Sequence, residues 1–435
     1  MIQPNELHHM SHQSIDNSNH CASSASGFYG WRIVLAGTLI FFVSNGIGFY
    51  GHGVFLDPLR TLHGWSKGSV SSAVTLYFIT AGVTGIFIGR QIDRFGPRPI
   101  LIAGSVIVGI AFFLLSRITA LWQLYGVYFL LALGWSGTSV MTVNALITNW
   151  FVRRRGQAMS ITMTGMSVGG MVLVPFAAYL ISRWGLGLAL PCLGSMFILV
   201  IIPLALFVIR DKPADMGQVP DGKPRNRKEI GATDNALNLE TQNRIWTRRQ
   251  AMSTLSFWAI VAAFFLAISA QVAYLVHQIS FLSATIGLVG AASAVSITAA
   301  ASIGGRLLLG NFIDRTDNRH VTIGLFLMQA IAVFSLAHTS HIIALYLGTF
   351  AFGLTMGCIL MMQSLIMAEC FGMASFATVS GMAGVFVSSG AAVGPMLAGF
   401  IYDATQSYRT AFIIFAGVSI LAIFAIIFAK PPKAA

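Results

Sequence analysis

The sequence predicts an all-α membrane protein with twelve transmembrane helices in two pseudo-symmetric six-helix halves, and three observations support this fold class. First, 56% of the 435 residues are hydrophobic and 9% are charged, whereas a soluble domain carries about 25% charged residues. Second, several apolar runs approach the roughly 20 residues that a helix needs to cross a bilayer. Third, the pattern Gly-x-x-x-Asp-Arg occurs at 89–94 and again at 310–315, each time between two apolar runs, which indicates an internal repeat.

The apolar runs are predicted to be helices rather than barrel strands. Barrel strands alternate apolar and polar residues in segments of about ten, and no part of this sequence does so. We place the twelve spans at residues 31–51, 69–90, 99–117, 121–148, 157–181, 187–209, 254–282, 288–313, 320–338, 342–365, 377–401 and 410–429.

The distribution of Lys and Arg predicts the orientation. With the amino terminus in the cytoplasm, all but six of the 26 Lys and Arg residues fall on the cytoplasmic side, as the positive-inside rule requires. We therefore expect a monomeric, multi-pass protein of the cell inner (plasma) membrane with both termini in the cytoplasm. The net charge of +12 then reflects topology, and we expect no nucleic-acid partner.

Composition divides the chain into five segments. Residues 1–28 are polar, lack the pattern of a secretory signal and are predicted to be a disordered cytoplasmic tail. The N-terminal six-helix half covers 29–209 and the C-terminal half covers 254–430. The hydrophilic segment 210–253 is predicted to be a cytoplasmic linker between them, and 431–435 a second cytoplasmic tail.

Two local features carry further expectations. Residues 55–68 read as a polar outer loop between spans one and two. Span five contains Gly165 and Gly169, and span eleven contains Gly390 and Gly394. Glycines four residues apart let helices approach closely, so we expect tight helix packing at both pairs.

The charged turn after span two is a candidate gate at the cytoplasmic end. Its Asp can pair with a neighbouring guanidinium, and the second copy of the motif repeats both the charges and their spacing. We hypothesise that these residues form an inside gate that breaks and re-forms as the halves rock; the alternative is a topology signal and a turn. The gating candidates are Gly89, Asp93, Arg94, Gly96, Arg98, Asp314 and Arg315.

Arg306 is the strongest candidate for binding a substrate, because a charge within a span costs roughly 2.5–3.5 kcal/mol. Its distance from Asp314 along the chain places it about 12 Å from the inner end of span eight, at about 1.5 Å per residue. A guanidinium can bind a carboxylate through two parallel hydrogen bonds, which predicts an organic anion at the centre of the protein. The alternative is a structural ion pair, but we place no Asp or Glu at a similar depth.

His277 in span seven is the candidate for carrying a proton, because a His side chain titrates near neutral pH. Tyr274 lies three residues before it and one turn before Gln278, which predicts a polar face on this helix. A single His within a span is otherwise a packing or hydrogen-bonding residue, and that alternative stays open. All 14 Asp and Glu residues fall in predicted loops, tails or span edges, which argues against a carrier of organic cations.

The sequence contains no pattern that indicates an enzyme. It has no ATP-binding motif and no nucleophile arrangement, and its four Cys residues show no metal or redox spacing. We therefore predict no catalytic residues, no metal and no cofactor.

The motif at 89–94 resembles the loop between spans two and three of the major facilitator superfamily, and YGWRIV, GVFLDPL and GWSKG near spans one and two narrow the resemblance to one branch of it. Within it, the chain is similar to the bacterial branch of the monocarboxylate transporter and oxalate–formate exchanger families, over about residues 29–429. The resemblance implies alternating access around a central carboxylate site, often with one proton moved per monocarboxylate. The family's Arg in span eight falls on Arg306.

The resemblance also nominates cavity residues, because spans one, four, seven and ten line the pathway in this superfamily. Animal members carry an Asp where this chain has Ser302, and the exchanger's second cationic residue finds no Lys or Arg between residues 378 and 402. One buried cation favours one carboxylate over two. The substrate-binding candidates are Arg306, Tyr50, Asn45, Tyr274, His277, Asn144 and Gln363.

The sequence thus predicts a secondary active transporter for a small organic anion, with a monocarboxylate as the expected substrate and proton symport as the expected coupling. Two alternatives stay open. One is a carrier for another solute, such as an aromatic acid or a drug. The other is a non-transporting membrane sensor.

Overall fold

The computed structural model of the chain describes residues 28–152, 154–220, 246–312, 317–372 and 375–432. In these residues the regular structure is helical, with short π and 3-10 turns at Leu204–Val208 and Pro213–Met216. The α-helices are α1 (Gly30–Gly48), α2 (His52–His63), α3 (Lys67–Phe95), α4 (Pro97–Leu115), α5 (Leu121–Gly137), α6 (Val140–Trp150), α7 (Arg155–Pro203), α8 (Arg248–Met252), α9 (Leu255–Phe312), α10 (Asn318–His338), α11 (Ile342–Phe371), α12 (Phe376–Thr405) and α13 (Tyr408–Ile427).

Two of these helices each hold two spans. α7 has 49 residues and α9 has 58, far more than the roughly 20 that cross a bilayer. Each one breaks at a glycine in the left-handed region, Gly185 at φ 67° and Gly287 at φ 70°, a conformation that glycine adopts without strain. Within the described residues, nine helices are long and apolar enough to cross a membrane, or ten with the bent helix α3.

The predicted fold class is confirmed, because these helices add up to twelve crossings. α1 and α2 form one continuous crossing, as do α5 and α6, and α7 and α9 supply two crossings each. The first half consists of α1 to α7 and the second half of α9 to α13.

The prediction of a polar loop over 55–68 is wrong for its first part, because α2 extends the first span to His63. Val54, Phe55 and Leu56 are buried, and α2 packs against α9. The helix ends at Gly64, whose φ of 71° is left-handed, as is common after a helix C-terminus. Burial against the second half therefore overrides the polar composition of this segment.

The two glycine pairs pack as predicted and show the pseudo-symmetry directly. A Cβ atom added at Gly165 or Gly169 would collide with the backbone of α1. A Cβ atom added at Gly390 or Gly394 would collide with the backbone of the first part of α9 in the same way. In each half, a glycine-rich helix therefore lies directly against the helix that opens that half.

The contact between the halves is close near the start of α3, and open space borders Gly85 further along that helix. α3 of the first half packs against α12 of the second. Near Lys67, a Cβ atom added at Gly399 would lie 2.9 Å from Gly68 Cα. Nearer Asp93, at the other end of α3, no described atom lies within 4 Å of a Cβ atom added at Gly85. We call these the Lys67 end, which is closed, and the Asp93 end, where Gly85 borders open space among the described residues.

Candidate functional site

The Arg306 side chain lies in the second part of α9 and joins the two halves through hydroxyl groups. Its Nη2 donates to Ser167 Oγ at 2.5 Å and to Ser302 Oγ at 3.3 Å, and its Nε donates to the Ser302 carbonyl oxygen at 3.1 Å. The two serine hydroxyls lie 3.1 Å apart. Because Ser167 belongs to α7 and Arg306 to α9, the guanidinium spans the boundary between the halves.

Glycines on α9 and α11 make room for this guanidinium. A Cβ atom added at Gly357 of α11 would lie 2.9 Å from Arg306 Nε. One added at Gly305 of α9 would collide with the Leu354 carbonyl of α11 and lie 3.2 Å from the Cys358 sulfur. The two helices can approach this closely because neither carries a side chain at the contact.

Tyr50 completes the polar group around Arg306. Its side chain is buried, and its hydroxyl interacts with Ser167, Ser302 and the Arg306 charge. Its ring lies on Gly170 of α7, where an added Cβ atom would be 2.7 Å from Tyr50 Cγ. The structure thus brings two predicted binding residues, Tyr50 and Arg306, to one place.

Arg306 forms no ion pair with any described residue. The salt bridges in the described part of the chain join Asp57 to Arg60 and Lys67, and Asp317 to Arg319 and His320. Arg306 Nη1 also donates to no described residue, so the guanidinium keeps donors for a further partner. Neutral oxygens solvate this charge and leave it uncompensated.

His277 lies at the Lys67 end, with different neighbours from those of Arg306. It is fully buried; its Nε2 is 2.9 Å from the Pro395 carbonyl oxygen and its Nδ1 is 3.0 Å from the Tyr408 hydroxyl. A carbonyl oxygen only accepts, so we assign the hydrogen to Nε2, and Nδ1 accepts from Tyr408. A second contact of Nε2, 3.3 Å to Ser71 Oγ, reaches α3 of the other half.

The remaining candidate on α9, Tyr274, and its neighbour Gln278 bind within the second half. The Tyr274 hydroxyl lies 3.1 Å from Thr349 Oγ1, and its ring packs on Phe352. Gln278 Nε2 donates to Thr298 Oγ1 at 2.9 Å. Both side chains are buried, and these contacts stabilise the packing of α9 against itself and α11.

Three further candidates keep unused or open polar groups. Asn45 Nδ2 and Asn144 Oδ1 are buried atoms that form no hydrogen bond with a described residue. Gln363 on α11 is half-buried. A buried polar atom without a partner costs about 1–3 kcal/mol, so unpaired amides of this kind are typical of sites that water or a ligand completes.

The gating candidates at the Asp93 end are exposed. Asp93 and Arg94 are exposed, and within the described ranges Asp93 forms no salt bridge; the Arg94 guanidinium lies 5.0 Å from the Phe95 ring centroid. A Cβ atom added at Gly89 would lie 3.4 Å from the Met141 sulfur. Asp314 and Arg315 lie outside the described residues.

The last two gating candidates hold the turn against the end of α7 in their own half. Arg98 donates through Nε to the Ala205 carbonyl at 2.7 Å, and its backbone N–H donates to Asp211 Oδ1 at 3.1 Å. Gly96 has a φ of 83°, and an added Cβ atom would lie 2.5 Å from Asp211 Oδ2. Burial raises the pKa of the Asp211 carboxyl, while the Arg98 N–H opposes that shift.

Sequence reasoning missed Ser167 as a site residue and treated Ser302 only as a departure from a family pattern. Ser302 lies four residues before Arg306, so helical spacing alone places them on one face. Ser167 belongs to the other half, and nothing in its local sequence shows that it faces α9. Only the packing of α7 against α9 reveals that contact.

Comparison with known proteins places these features in a family context. The family model of the Major Facilitator Superfamily matches residues 38–390 and 293–435. The chain is 23% identical to the MFS-type transporter pynF of Aspergillus niger over 392 residues, covering 89% of this chain and 85% of that protein. It is 25% identical to the oxalate:formate antiporter of Oxalobacter formigenes over 253 residues, covering 57% of this chain and 55% of that protein.

Solved structures show the same fold. The nucleoside transporter NupG aligns with a TM-score of 0.72, over 92% of this chain and 100% of that one. The sequence identity is 13%, so the likeness concerns the arrangement of helices and not the solute.

Proposed function

The chain belongs to the Major Facilitator Superfamily and is a multi-pass membrane transporter rather than an enzyme, and we propose that it moves a monocarboxylate or a similar small organic anion by alternating access. The observation that supports this proposal is the Arg306 guanidinium. It lies at the boundary between the halves with no ion-pair partner among the described residues. We also propose that the protein is located in the cell inner membrane and that both of its termini lie in the cytoplasm.

An anion is the ligand that best complements this site. A guanidinium inside a protein needs a compensating negative charge or several hydrogen bonds. The groups around Arg306 are the hydroxyls of Tyr50, Ser167 and Ser302, and each can accept from a cation or donate to an anion. A carboxylate at this place receives two N–H bonds from Arg306 and an O–H bond from a neighbouring hydroxyl.

The charge count favours a single carboxylate. Among the described residues, Lys67 is a buried Lys side chain, and its Nζ already lies 3.6 Å from Asp57, whereas the half-buried Arg306 has no ion pair. One free guanidinium therefore matches one carboxylate group. A dicarboxylate in the same site would bury a second charge without a partner.

The position of the site links binding to movement of the halves. In the structure, Arg306 Nη2 of the second half donates to Ser167 of the first. A carboxylate that accepts from Arg306 Nη2 in place of Ser167 breaks this direct hydrogen bond between the halves. The halves are then connected through the bound ligand. The bound anion then changes the relative free energy of the two orientations, which is what a transported ligand must do.

We assign proton symport to His277. Its Nδ1 accepts from the Tyr408 hydroxyl and carries no hydrogen. The lone pair of this nitrogen can therefore take up a proton in place of that hydrogen bond. Protonation would place a charge beside Lys67 and break the hydrogen bond from Tyr408, and it would therefore change the contacts at the Lys67 end.

A second candidate is a larger anion with an aromatic ring. The rings of Phe49 and Tyr50 lie 5.4 Å apart in an edge-to-face arrangement, and Tyr50 borders the Arg306 site. Rings arranged in this way also pack against a flat aromatic solute. An aromatic acid would use the same guanidinium for its carboxylate.

Uptake into proteoliposomes tests the proposal. Radiolabelled lactate, pyruvate, formate and benzoate are supplied with and without an inward proton gradient, to the native protein and to Arg306→Gln. Arg183→Gln is the matched control, because Arg183 is exposed and makes no hydrogen bond or ion pair with a described residue. We expect the native protein to take up a monocarboxylate, Arg306→Gln to abolish this uptake and Arg183→Gln to leave it unchanged. Uptake only of uncharged or cationic solutes would contradict the proposal. No uptake of any solute would favour a sensor.

A further inference from the structure

Lys67 of the first half inserts its side chain into the second half at the closed end of the molecule. The side chain is 5% exposed. Its Nζ donates to the Tyr408 hydroxyl at 3.0 Å and lies 3.7 Å from the centre of the Tyr402 ring. Both tyrosines belong to the second half, and an ammonium over an aromatic ring is attracted by the electrons of the ring.

The backbone of the same residue is bound by a carboxylate from the second half. Asp403 of α12 accepts from the Lys67 N–H at 3.0 Å and from the Gly68 N–H at 2.7 Å. These donors belong to the first turn of α3, where no intrahelical acceptor exists, and the partial positive charge there favours an anion. At this helix start the Ser66 hydroxyl accepts a backbone hydrogen bond only from the Ser69 N–H. Asp403 of the second half therefore completes the N-terminal cap of α3, a helix of the first half.

One further contact joins the halves around this lysine, and another fixes its partner Tyr408 within the second half. Asp57 of the first half lies 3.6 Å from Lys67 Nζ and accepts a hydrogen bond from Ser280 of the second half. Tyr408 accepts from Lys67 and donates to His277, which holds its hydroxyl in place. The charges of Lys67, Asp57 and Asp403 thus all meet at the boundary.

We propose that Lys67, Asp403, Tyr402 and Tyr408 form the gate that closes the Lys67 end, and that its bonds break each time the transporter opens there. The Lys67 side chain binds Tyr408 of α13 and lies over the Tyr402 ring of α12, and the start of α3 binds Asp403 of α12. Each of these contacts requires the two halves to touch. On separation, the ammonium, the carboxylate and the two N–H groups all meet water, which solvates them well. The gate therefore stabilises the closed state while leaving the open state accessible.

This gate is separate from the charged turn predicted from the sequence motif. That turn lies at the Asp93 end of α3, whereas Lys67 lies at the opposite end of the same helix. The gate requires alternating access but not a carboxylate substrate, so its test is independent of the Arg306 proposal.

Distances between spin labels at the Lys67 end test the gate without any substrate. Labels are placed at Thr119→Cys in the first half and Ser340→Cys in the second, both on exposed segments between helices, with Cys21 and Cys192 replaced by Ser. Double electron–electron resonance then gives the ratio of separated to closed molecules in liposomes.

Removing the lysine charge is expected to open this end. In Lys67→Met, which keeps the length of the side chain, we expect the ratio of separated to closed molecules to rise about tenfold, the effect of losing one charge-assisted hydrogen bond. Asp403→Asn is expected to shift the ratio in the same direction by less. The double variant is expected to shift it by less than the product of the two single effects, because both changes weaken the same interface between the start of α3 and the second half.

The matched control is Arg183→Gln, since Arg183 is exposed and makes no hydrogen bond or ion pair with a described residue, and this change should leave the distances unchanged. Size-exclusion chromatography verifies folding, and Asp403→Asn carries the test alone if Lys67→Met does not fold. Native-like distance distributions in both Lys67→Met and Asp403→Asn would overturn the proposal, as would an equal shift in Arg183→Gln.

Discussion

The change Arg306→Lys tests how the proposed site recognises its ligand, because it keeps the charge and removes the planar fork of donors. In the structure the guanidinium uses Nε and Nη2 for Ser167 and Ser302. A lysine ammonium presents its three donors from a single point, so it can contact the carboxylate or the serines but cannot reproduce this geometry.

The expected magnitude follows from the bonds that are lost. A hydrogen bond to a charged group contributes about 1.5–3 kcal/mol, and about 1.4 kcal/mol corresponds to a tenfold change in Kd. The loss of one bidentate contact in Arg306→Lys should therefore weaken monocarboxylate binding about 10- to 100-fold. Arg306→Gln removes the charge as well, and we expect weakening beyond 100-fold.

Isothermal titration calorimetry on purified protein in detergent measures these affinities, and proteoliposome uptake measures the consequence for transport. Arg183→Gln is the control for a change of surface charge. A native Kd in Arg306→Gln would refute the reasoning, because the only guanidinium proposed to bind the anion would then be dispensable.

Three further predictions concern packing, coupling and the charged turn. Gly169→Ala should lower the melting temperature, because overpacking costs typically about 1–3 kcal/mol. Gly417→Ala should not lower it, because no described atom lies within 4 Å of the added Cβ. Equal melting curves for the two variants would contradict the packing argument. His277→Gln should keep carboxylate exchange but lose stimulation by a proton gradient, and stimulation at the native level would exclude His277 as the proton carrier. Asp93→Arg should slow uptake severalfold if the charged turn is a gate, and an unchanged initial rate would leave it as a topology signal.

The fold followed from the sequence because its causes are local and repeated. Apolar runs of bilayer length, the Lys and Arg distribution and the glycine pairs at Gly165 and Gly390 each reflect one helix and its immediate surroundings. The prediction for the α2 segment is wrong because Asp57 and Arg60 suggest a loop, whereas the helix buries Val54, Phe55, Leu56 and Leu59 and packs against α9.

The site followed only in part, because its contacts join distant segments. Arg306 stands out in the sequence as a charge inside a span, and a resemblance to a family assigned Tyr50 to the cavity. The partnership of Arg306 with Ser167 depends on how α7 packs on α9, and that of Lys67 with Asp403 on how α3 meets α12. Small hydroxyls and span-end charges of this kind carry no signal of their own in a single sequence.

The most direct test is an experimental structure of the protein with saturating lactate. We predict that the lactate carboxylate lies within hydrogen-bond distance of the Arg306 guanidinium, and that the guanidinium no longer donates to Ser167. Lactate bound elsewhere, with Arg306 still held by Ser167 and Ser302, would contradict the assignment of this guanidinium as the anion-binding group.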